Sequence, residues 1–284
     1  MKSDMSKIII SEEDFLKFRE YFYRKTGINF ETTKRYFVDK RLIERIEATD
    51  SGDFRSYFIM MRFQASGAEL QLLTNLMTVN ETYFLREDYQ FDCLVNSILP
   101  ELVKRKTDNR PIRIWCIPSS SGEEPYTIAM YLMERWPGIH QWDVEILSSD
   151  IDTGILNKAR IGRYSARSVM HVPAPWLVKY FTRVGDEYQI CQDLREAVEF
   201  TRVNLAEPTD TRGYRNFDII FCRNLLIYFD DLSRKTAAEV FFDALIPGGF
   251  VCLGHAESMS RISSLYKVRK FPQAIVYQKS LESR

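Results

Sequence analysis

No apolar run in the 284 residues approaches the roughly 20 needed to cross a bilayer, so membrane insertion is not expected. The opening MKSDMSK lacks the apolar core of a signal peptide, and a cytoplasmic protein is expected. Neither sign of charge is in excess, with 39 Lys and Arg against 39 Asp and Glu. That balance argues against a general nucleic-acid binder, though it leaves room for a local basic face. Histidine is scarce. His140, His171 and His255 fall in no triad or metal-ligand spacing, so each is read as a surface or core residue and no metal is expected. The five cysteines, Cys93, Cys116, Cys191, Cys222 and Cys252, are odd in number and include no C-x-x-C. Three lie in apolar, strand-like runs, which points to buried thiols rather than a disulfide framework. What is present is ample: 45% hydrophobic residues, in a chain long enough for one large domain or two smaller ones.

The pattern changes once along the chain. Residues 1–79 read as helices throughout. "SEEDFLKFREYFYRKTGI" opens on a Ser-x-x-Asp cap, sets Phe15, Phe18 and Phe22 on one stripe, and stops at Gly27. "ETTKRYFVDKRLIERIEA" follows as a second helix, with Phe37, Ile43 and Ile46 near one face, and further helices are expected over 54–63 and 68–78. Residues 80–110 form a connecting segment and another helix, ending in the polar "KRKTDNRP". From 111 to 284, short apolar runs alternate with helical stretches: "IRIWCI", "DVEILSSD", "FDIIFCRN", "FVCLGH". This is the signature of an α/β fold with a mainly parallel sheet. Between Arg163 and Asn204 the rhythm breaks. "KYFTRVGDEYQIC" and "EAVEFTRVN" read as antiparallel strands of a small β subdomain at about 165–201, with a turn at Gly185–Asp186.

In such sheets ligands sit at the carboxyl ends of the strands, beside the switch point. The turn "IPSSSGEE" lies there, after the first strand, and Asp150 closes the second, where an acid commonly accepts hydrogen bonds from a ribose. A glycine turn entering a helix ordinarily suits a phosphate. Here Glu123 and Glu124 supply negative charge instead, and the G-x-G-x-x-G spacing is missing. A nucleoside with a cationic tail and no phosphate fits both features, and S-adenosylmethionine (SAM) is such a molecule. Taken alone, the turn reads equally well as an ordinary helix start, since the dipole favours acids in a first turn by about 0.3–1 kcal/mol.

"NETYFLRE" (80–87), "SGEEPYT" (121–127), "SSDIDTGILNKAR" (148–160) and "FDIIFCRNLLIYF" (217–229) together resemble the chemotaxis receptor methyltransferases, the CheR family. The likeness runs in family order over nearly the whole chain, to "GHAES" (254–258). It implies a small helical domain, used in receptor recognition, followed by a Rossmann-like SAM-dependent methyltransferase domain carrying a β subdomain. It also implies an enzyme that esterifies particular glutamates on the cytoplasmic helices of chemoreceptors, releasing S-adenosylhomocysteine. By position, Asn80, Thr82 and Arg86 would contact the cofactor. Glu123 or Glu124 would hold its methionine part and Asp150 its ribose, with further contacts from Asn204, Leu205, Arg223 and Asn224. The departures, Leu85, Pro118 and Ser121 where the family often has Phe, Ala and Thr, remove no polar contact.

The chemistry asks little of the protein. A glutamate acceptor, with an ordinary pKa near 4.3, is already an anion at neutral pH and needs no general base. The site must desolvate it, align it and hold it, and alignment of this kind can supply about 7–11 kcal/mol. Arg86 is the candidate for handling a carboxylate bidentately, against an ordinary ion pair with Glu87 or Asp88. Tyr228 is the candidate for lining the transfer pocket, against a buried packing role. Acidic receptor helices would be met by a basic face: Lys34, Arg41 and Arg45 share one side of the second helix, widened by Arg35 and Lys40. In some family members the β subdomain grips a receptor carboxyl-terminal peptide by strand addition. A monomer is expected. The competing readings are a non-catalytic SAM-binding signalling module and a carboxyl methyltransferase acting on another protein.

Overall fold

The computed structural model describes residues 8–281; the signal-peptide reading of MKSDMSK falls outside them. The chain divides into two compact units, 1–79 and 80–284.

In the first unit, α1 (Glu12–Thr26) is fixed at both ends by its sequence. Ser11 and Asp14 form a reciprocal capping box, and Gly27 at φ 73° takes the left-handed position that stops the helix. Phe15, Phe18 and Phe22 are buried, as their spacing requires. A 3-10 turn at Thr32–Lys34 leads into α2 (Arg35–Ala48), and α3 (Phe54–Phe63) and α4 (Ala68–Met77) complete the bundle. The buried stripe of α2 is Val38, Leu42 and Ile46, not the expected Phe37, Ile43 and Ile46. Phe37 and Ile43 lie half-buried on its flank, and the Phe37 ring is roofed by the Arg41 guanidinium, 3.3 Å from its centroid. An aromatic ring covered by a cation needs no core position.

Three of the basic residues of α2, Arg35, Arg41 and Arg45, are consumed inside this unit. Arg45 grips the buried Glu69 of α4 through two 2.8 Å bonds, and the Tyr57 hydroxyl donates to the same carboxylate at 2.9 Å. Breaking one half of a buried pair leaves an uncompensated charge, at a cost of about 3–5 kcal/mol. Arg45→Met is therefore expected to unfold the helical unit first. All four tryptophans, Trp115, Trp136, Trp142 and Trp176, lie in the second unit. In a urea titration, far-UV circular dichroism should fall before tryptophan fluorescence moves; superimposable curves at the wild-type midpoint would refute it.

In the second unit, α5 (Tyr89–Cys93) passes through a π turn, Leu94–Ile98, into α6 (Leu99–Arg105), so the expected helix carries an extra residue in its middle turn. The sheet then follows: β1 (Ile112–Cys116), α7 (Glu123–Arg135), β2 (Val144–Asp150) and α8 (Thr153–Ile161). Next come β3 (Arg163–Ser165), α9 (Ala166–Val169), α10 (Ala174–Tyr180), β4 (Phe181–Val184) and β5 (Glu187–Ile190). After α11 (Gln192–Glu196) come β6 (Val198–Arg202), α12 (Pro208–Thr211), β7 (Phe217–Cys222), α13 (Asp231–Ala244), β8 (Leu245–Leu253), β9 (Tyr266–Lys270) and β10 (Ile275–Lys279).

The main sheet has the order β6-β2-β1-β7-β8-β10-β9, parallel from β6 to β8 and antiparallel beyond. The small sheet is β3-β5-β4, its hairpin turned at Gly185 with φ 62°. One expectation is corrected. "VEFTR" pairs in parallel with β2, from Ile146↔Val198 to Asp150↔Arg202, so it belongs to the main sheet and the small sheet ends at Ile190. An edge strand buries one face only. Val198 and Phe200 turn inward while Glu199 and Arg202 are exposed, which gives the alternation of an antiparallel strand. The strand order reverses between β1 and β7, so the crevice opens at the carboxyl ends of β1, β2 and β7.

Candidate active site

The turn after β1 is built to bring backbone to carboxylate. The Ser119 amide donates to the Ser149 carbonyl at 2.7 Å, and the Ser120 amide to Asp150 Oδ2 at 2.8 Å. Ser120 takes φ 48° and Gly122 φ 93°. At Gly122 a Cβ would stand 3.0 Å from both Ala159 and the Tyr126 ring, so only glycine fits the entry to α7. Asp150, 3% exposed, also accepts the Asp152 amide through Oδ1 at 3.0 Å. Burial raises its pKa to about 6, against the lowering effect of those amide bonds. Asp152 caps α8 through the Ile155 amide and accepts from the Asn80 side chain at 3.0 Å.

The two adjacent glutamates part company. Buried Glu123 accepts hydroxyls on both oxygens, Ser121 at 2.7 Å and Ser168, from α9, at 2.9 Å. Glu124, with a side chain 13% exposed, takes Arg223 Nη1 on Oε2 at 2.8 Å, and its Oε1 is buried without a partner. Burial raises the pKa of both carboxyls; for Glu124 the Arg223 charge opposes the rise.

Arg223 is the hub of the β7 side. Its guanidinium also donates to the Arg86 carbonyl, lies 3.4 Å from Glu87, and sits over the Phe91 ring. Glu87 accepts in addition from Gln90 and from the His255 amide. Leu85, Glu87 and Asn224 all hold positive φ, at 60°, 55° and 59°. Left-handed non-glycine residues are uncommon, and their concentration here marks a site that the surrounding structure over-determines.

The candidates are thus gathered unequally. Asp150 and Asp152 with Asn80, and Glu124 with Arg223 and the Arg86 backbone, form two clusters at the crevice. Arg86 itself is half-buried, with Nη1 on the Glu81 carbonyl at 2.7 Å and its guanidinium 5.9 Å from the Tyr83 ring centroid; Glu87, considered as its partner, pairs with Arg223 instead. Thr82 is half-buried and Leu205 buried, while Asn204 folds the loop after β6 by accepting the Ala206 amide. Tyr228 is 41% exposed, in a 3-10 turn after β7 rather than buried against the sheet. In the helical unit Lys34 and Lys40 both stand exposed. Arg35 is spent on the Ile10 carbonyl and Asp39, Arg41 on the Leu76 and Phe37 carbonyls, and Arg45 on Glu69. Glu87 and Glu257 lie within stretches of the family likeness and Ser168 outside them. No local spacing shows the pairings of Ser168 with Glu123, Glu87 with Arg223 or Glu257 with Asn224 and Leu226, which join residues far apart along the chain.

The donor set fits a cationic nucleoside. Three largely buried acids line the crevice, and Glu124 Oε1, Arg223 Nε and the Ser119 and Ser120 hydroxyls are buried without partners. Among the described residues no group of His, Cys, Asp and Glu could hold a metal ion, and no helix is long and apolar enough to cross a membrane.

Comparison with known proteins decides the family. Residues 80–275 match the SAM-binding domain of the CheR methyltransferases, and residues 13–78 their all-alpha domain. The chain belongs to the CheR methyltransferase family. It is 53% identical over 276 residues to Chemotaxis protein methyltransferase 2 of Vibrio cholerae serotype O1, covering 97% of this chain and 96% of that one. It is 36% identical to Chemotaxis protein methyltransferase 2 of Pseudomonas aeruginosa, over 90% of each chain. It is 33% identical to the Chemotaxis protein methyltransferase of Borreliella burgdorferi, over 89% of this chain and 90% of that one. The chain is accordingly a SAM-dependent methyltransferase of the chemotaxis family.

Proposed function

We propose that this CheR methyltransferase transfers a methyl group from SAM to glutamate side chains on the cytoplasmic helices of chemoreceptors, forming methyl esters that serve adaptation. The observation that carries the reading is the largely buried acidic set Glu123, Glu124 and Asp150, with one oxygen of Glu124 unpartnered. SAM supplies a methyl group on a cationic sulfur. Asp150, its two amide bonds made, keeps lone pairs for ribose hydroxyls. Glu124 Oε1 takes the ammonium group, while Glu123, satisfied by two serine hydroxyls, braces the turn. Asn80, Thr82, Asn204, Leu205, Arg223 and Asn224 complete the cofactor's surroundings.

On the acceptor side, Arg86 uses one nitrogen on the Glu81 carbonyl and keeps donors for a carboxylate. Tyr228 offers an exposed hydroxyl on the loop that carries Arg223 and Asn224. The acceptor arrives ionised, so orientation and desolvation are the protein's share of the work, and no metal takes part. Lys34 and Lys40 steer acidic receptor helices towards the enzyme. A receptor carboxyl-terminal peptide would add at β4, an outer strand of the small sheet. The enzyme acts as a cytoplasmic monomer.

Tritiated SAM and receptor cytoplasmic fragments test this directly. Label should enter the receptor and leave as methanol in mild alkali. Base-stable label would exclude a carboxyl acceptor. Tight S-adenosylhomocysteine binding without label would point to a non-catalytic module, and label only in other proteins to a different substrate. Lys34→Glu with Lys40→Glu should raise the receptor KM by about 3- to 10-fold at low salt while S-adenosylhomocysteine affinity holds. An unchanged KM would remove these lysines from receptor recognition.

A further inference from the structure

Glu257 lies in the closing "GHAES" stretch (254–258), where the family likeness gives it no role, yet its carboxylate receives three backbone amides. Oε2 accepts from Asn224 and from Gly254, each at 2.8 Å, and Oε1 accepts from Leu226 at 2.7 Å. Charged acceptors make hydrogen bonds about twice as strong as neutral ones, and here three converge on one half-buried group. The loop it holds is one the backbone would not keep unaided, since Asn224 sits at φ 59°. The turn that presents Glu257 is itself anchored: the Glu257 amide returns to the Gly254 carbonyl at 2.9 Å, and the His255 amide donates to Glu87 at 3.3 Å. Glu87 in turn faces Arg223. At the far end of the loop, Arg234 Nε donates to the Leu226 carbonyl at 2.9 Å.

Gly254 makes the clasp close. A Cβ there would lie 2.8 Å from Asn224 Nδ2, 2.9 Å from the Asn224 amide nitrogen and 2.9 Å from Glu257 Oε2. Those are the atoms of the clasp, so any side chain at 254 drives it apart.

We infer that Glu257 is a positioning residue for methyl transfer: its carboxylate, gathering the amides of residues 224, 226 and 254, fixes the 223–228 loop that presents Arg223, Asn224 and Tyr228 to cofactor and acceptor. This rests on the roles proposed above for that loop. Glutamine preserves the shape of the side chain but turns one acceptor oxygen into an NH2 donor facing an amide donor.

Glu257→Gln in the full chain should raise the S-adenosylhomocysteine Kd in calorimetry and lower kcat at saturating receptor, each about 10- to 100-fold, with the melting temperature close to wild type. Gly254→Ala, which wedges the clasp from the other side, should reproduce both effects. The double variant should be no worse than about threefold below the poorer single one, because the two act on one contact. Wild-type Kd and kcat in folded Glu257→Gln would overturn the inference, as would fully multiplying effects in the double variant. Should Glu257→Gln not fold, Gly254→Ala decides alone by the same readouts. The Kd measurement needs no acceptor, so a failure of the receptor assignment leaves it readable; that failure would show as wild-type enzyme without base-labile label.

Discussion

Arg223→Met is expected to abolish detectable SAM binding and to destabilise the methyltransferase unit by about 3–5 kcal/mol. The guanidinium, its side chain 3% exposed, is the common counter-charge of Glu124, at 2.8 Å, and Glu87, at 3.4 Å. It also ties the carbonyl of Arg86 to the end of β7. Methionine fills much of the volume and leaves two carboxylates facing one another without a cation. Glu124, whose pKa burial already raises against the pull of Arg223, would take up a proton and cease to be an acceptor for an ammonium group. Lysine keeps the charge but not the planar fork, so Arg223→Lys should recover stability more than binding. The double variant Arg223→Met/Glu124→Gln should recover part of the stability and none of the affinity, because it removes the stranded charge and the ligand contact together. Urea titration by tryptophan fluorescence and calorimetry with S-adenosylhomocysteine read the two effects separately. Wild-type affinity in Arg223→Met would remove Arg223 from the cofactor site.

How much of this is legible in the sequence follows the distance along the chain over which each feature is made. The stretch "IRIWCIPSSSGEE" carries strand, turn and helix start within thirteen residues, but its acidity fits a cationic nucleoside and an ordinary helix start equally well until the family likeness decides between them. Ser11, Asp14 and Gly27 bound α1 by strictly local bonds and are equally readable. Arg223 is placed at the site by the family likeness, but its pairing with Glu124 joins residues 99 apart, and no local pattern carries that. Ser168 reaches Glu123 across 45 residues from a subdomain whose sequence suggests only a separate role. The basic face of α2 shows the opposite failure. Spacing puts Arg41 and Arg45 on one side correctly, but only the fold shows that this side meets α4, where Glu69 and the Leu76 carbonyl hold them. Val198–Arg202 is misread because one-sided burial gives the same alternation at the edge of a parallel sheet as in a hairpin.

Asp150 makes the second large effect, and its pH dependence distinguishes it from simple damage. Its folded pKa, about 6, lies above the ordinary value because burial penalises the anion. For an acid raised in the folded state, the native protein binds more protons than the unfolded chain between about pH 3.9 and pH 6. Through that window this group's contribution to stability falls as pH rises, by about 3 kcal/mol in all, and is constant above it. Cofactor affinity must run the other way, since ribose hydroxyls donate to the carboxylate and protonation removes an acceptor. The S-adenosylhomocysteine Kd should therefore be flat above about pH 7 and rise towards tenfold for each unit below about pH 6. Asp150→Asn should raise Kd about 10- to 100-fold near pH 7.5, by the loss of charged hydrogen bonds. Near pH 5 the gap should shrink by about tenfold, because the wild-type Asp150 is by then mostly neutral as well. Calorimetry across this range reads both curves. A wild-type affinity indifferent to pH between 5 and 7, or an Asp150→Asn variant weaker by the same factor at every pH, would show that the carboxylate does not meet the cofactor as an anion, and Asp150 would lose its place in the site.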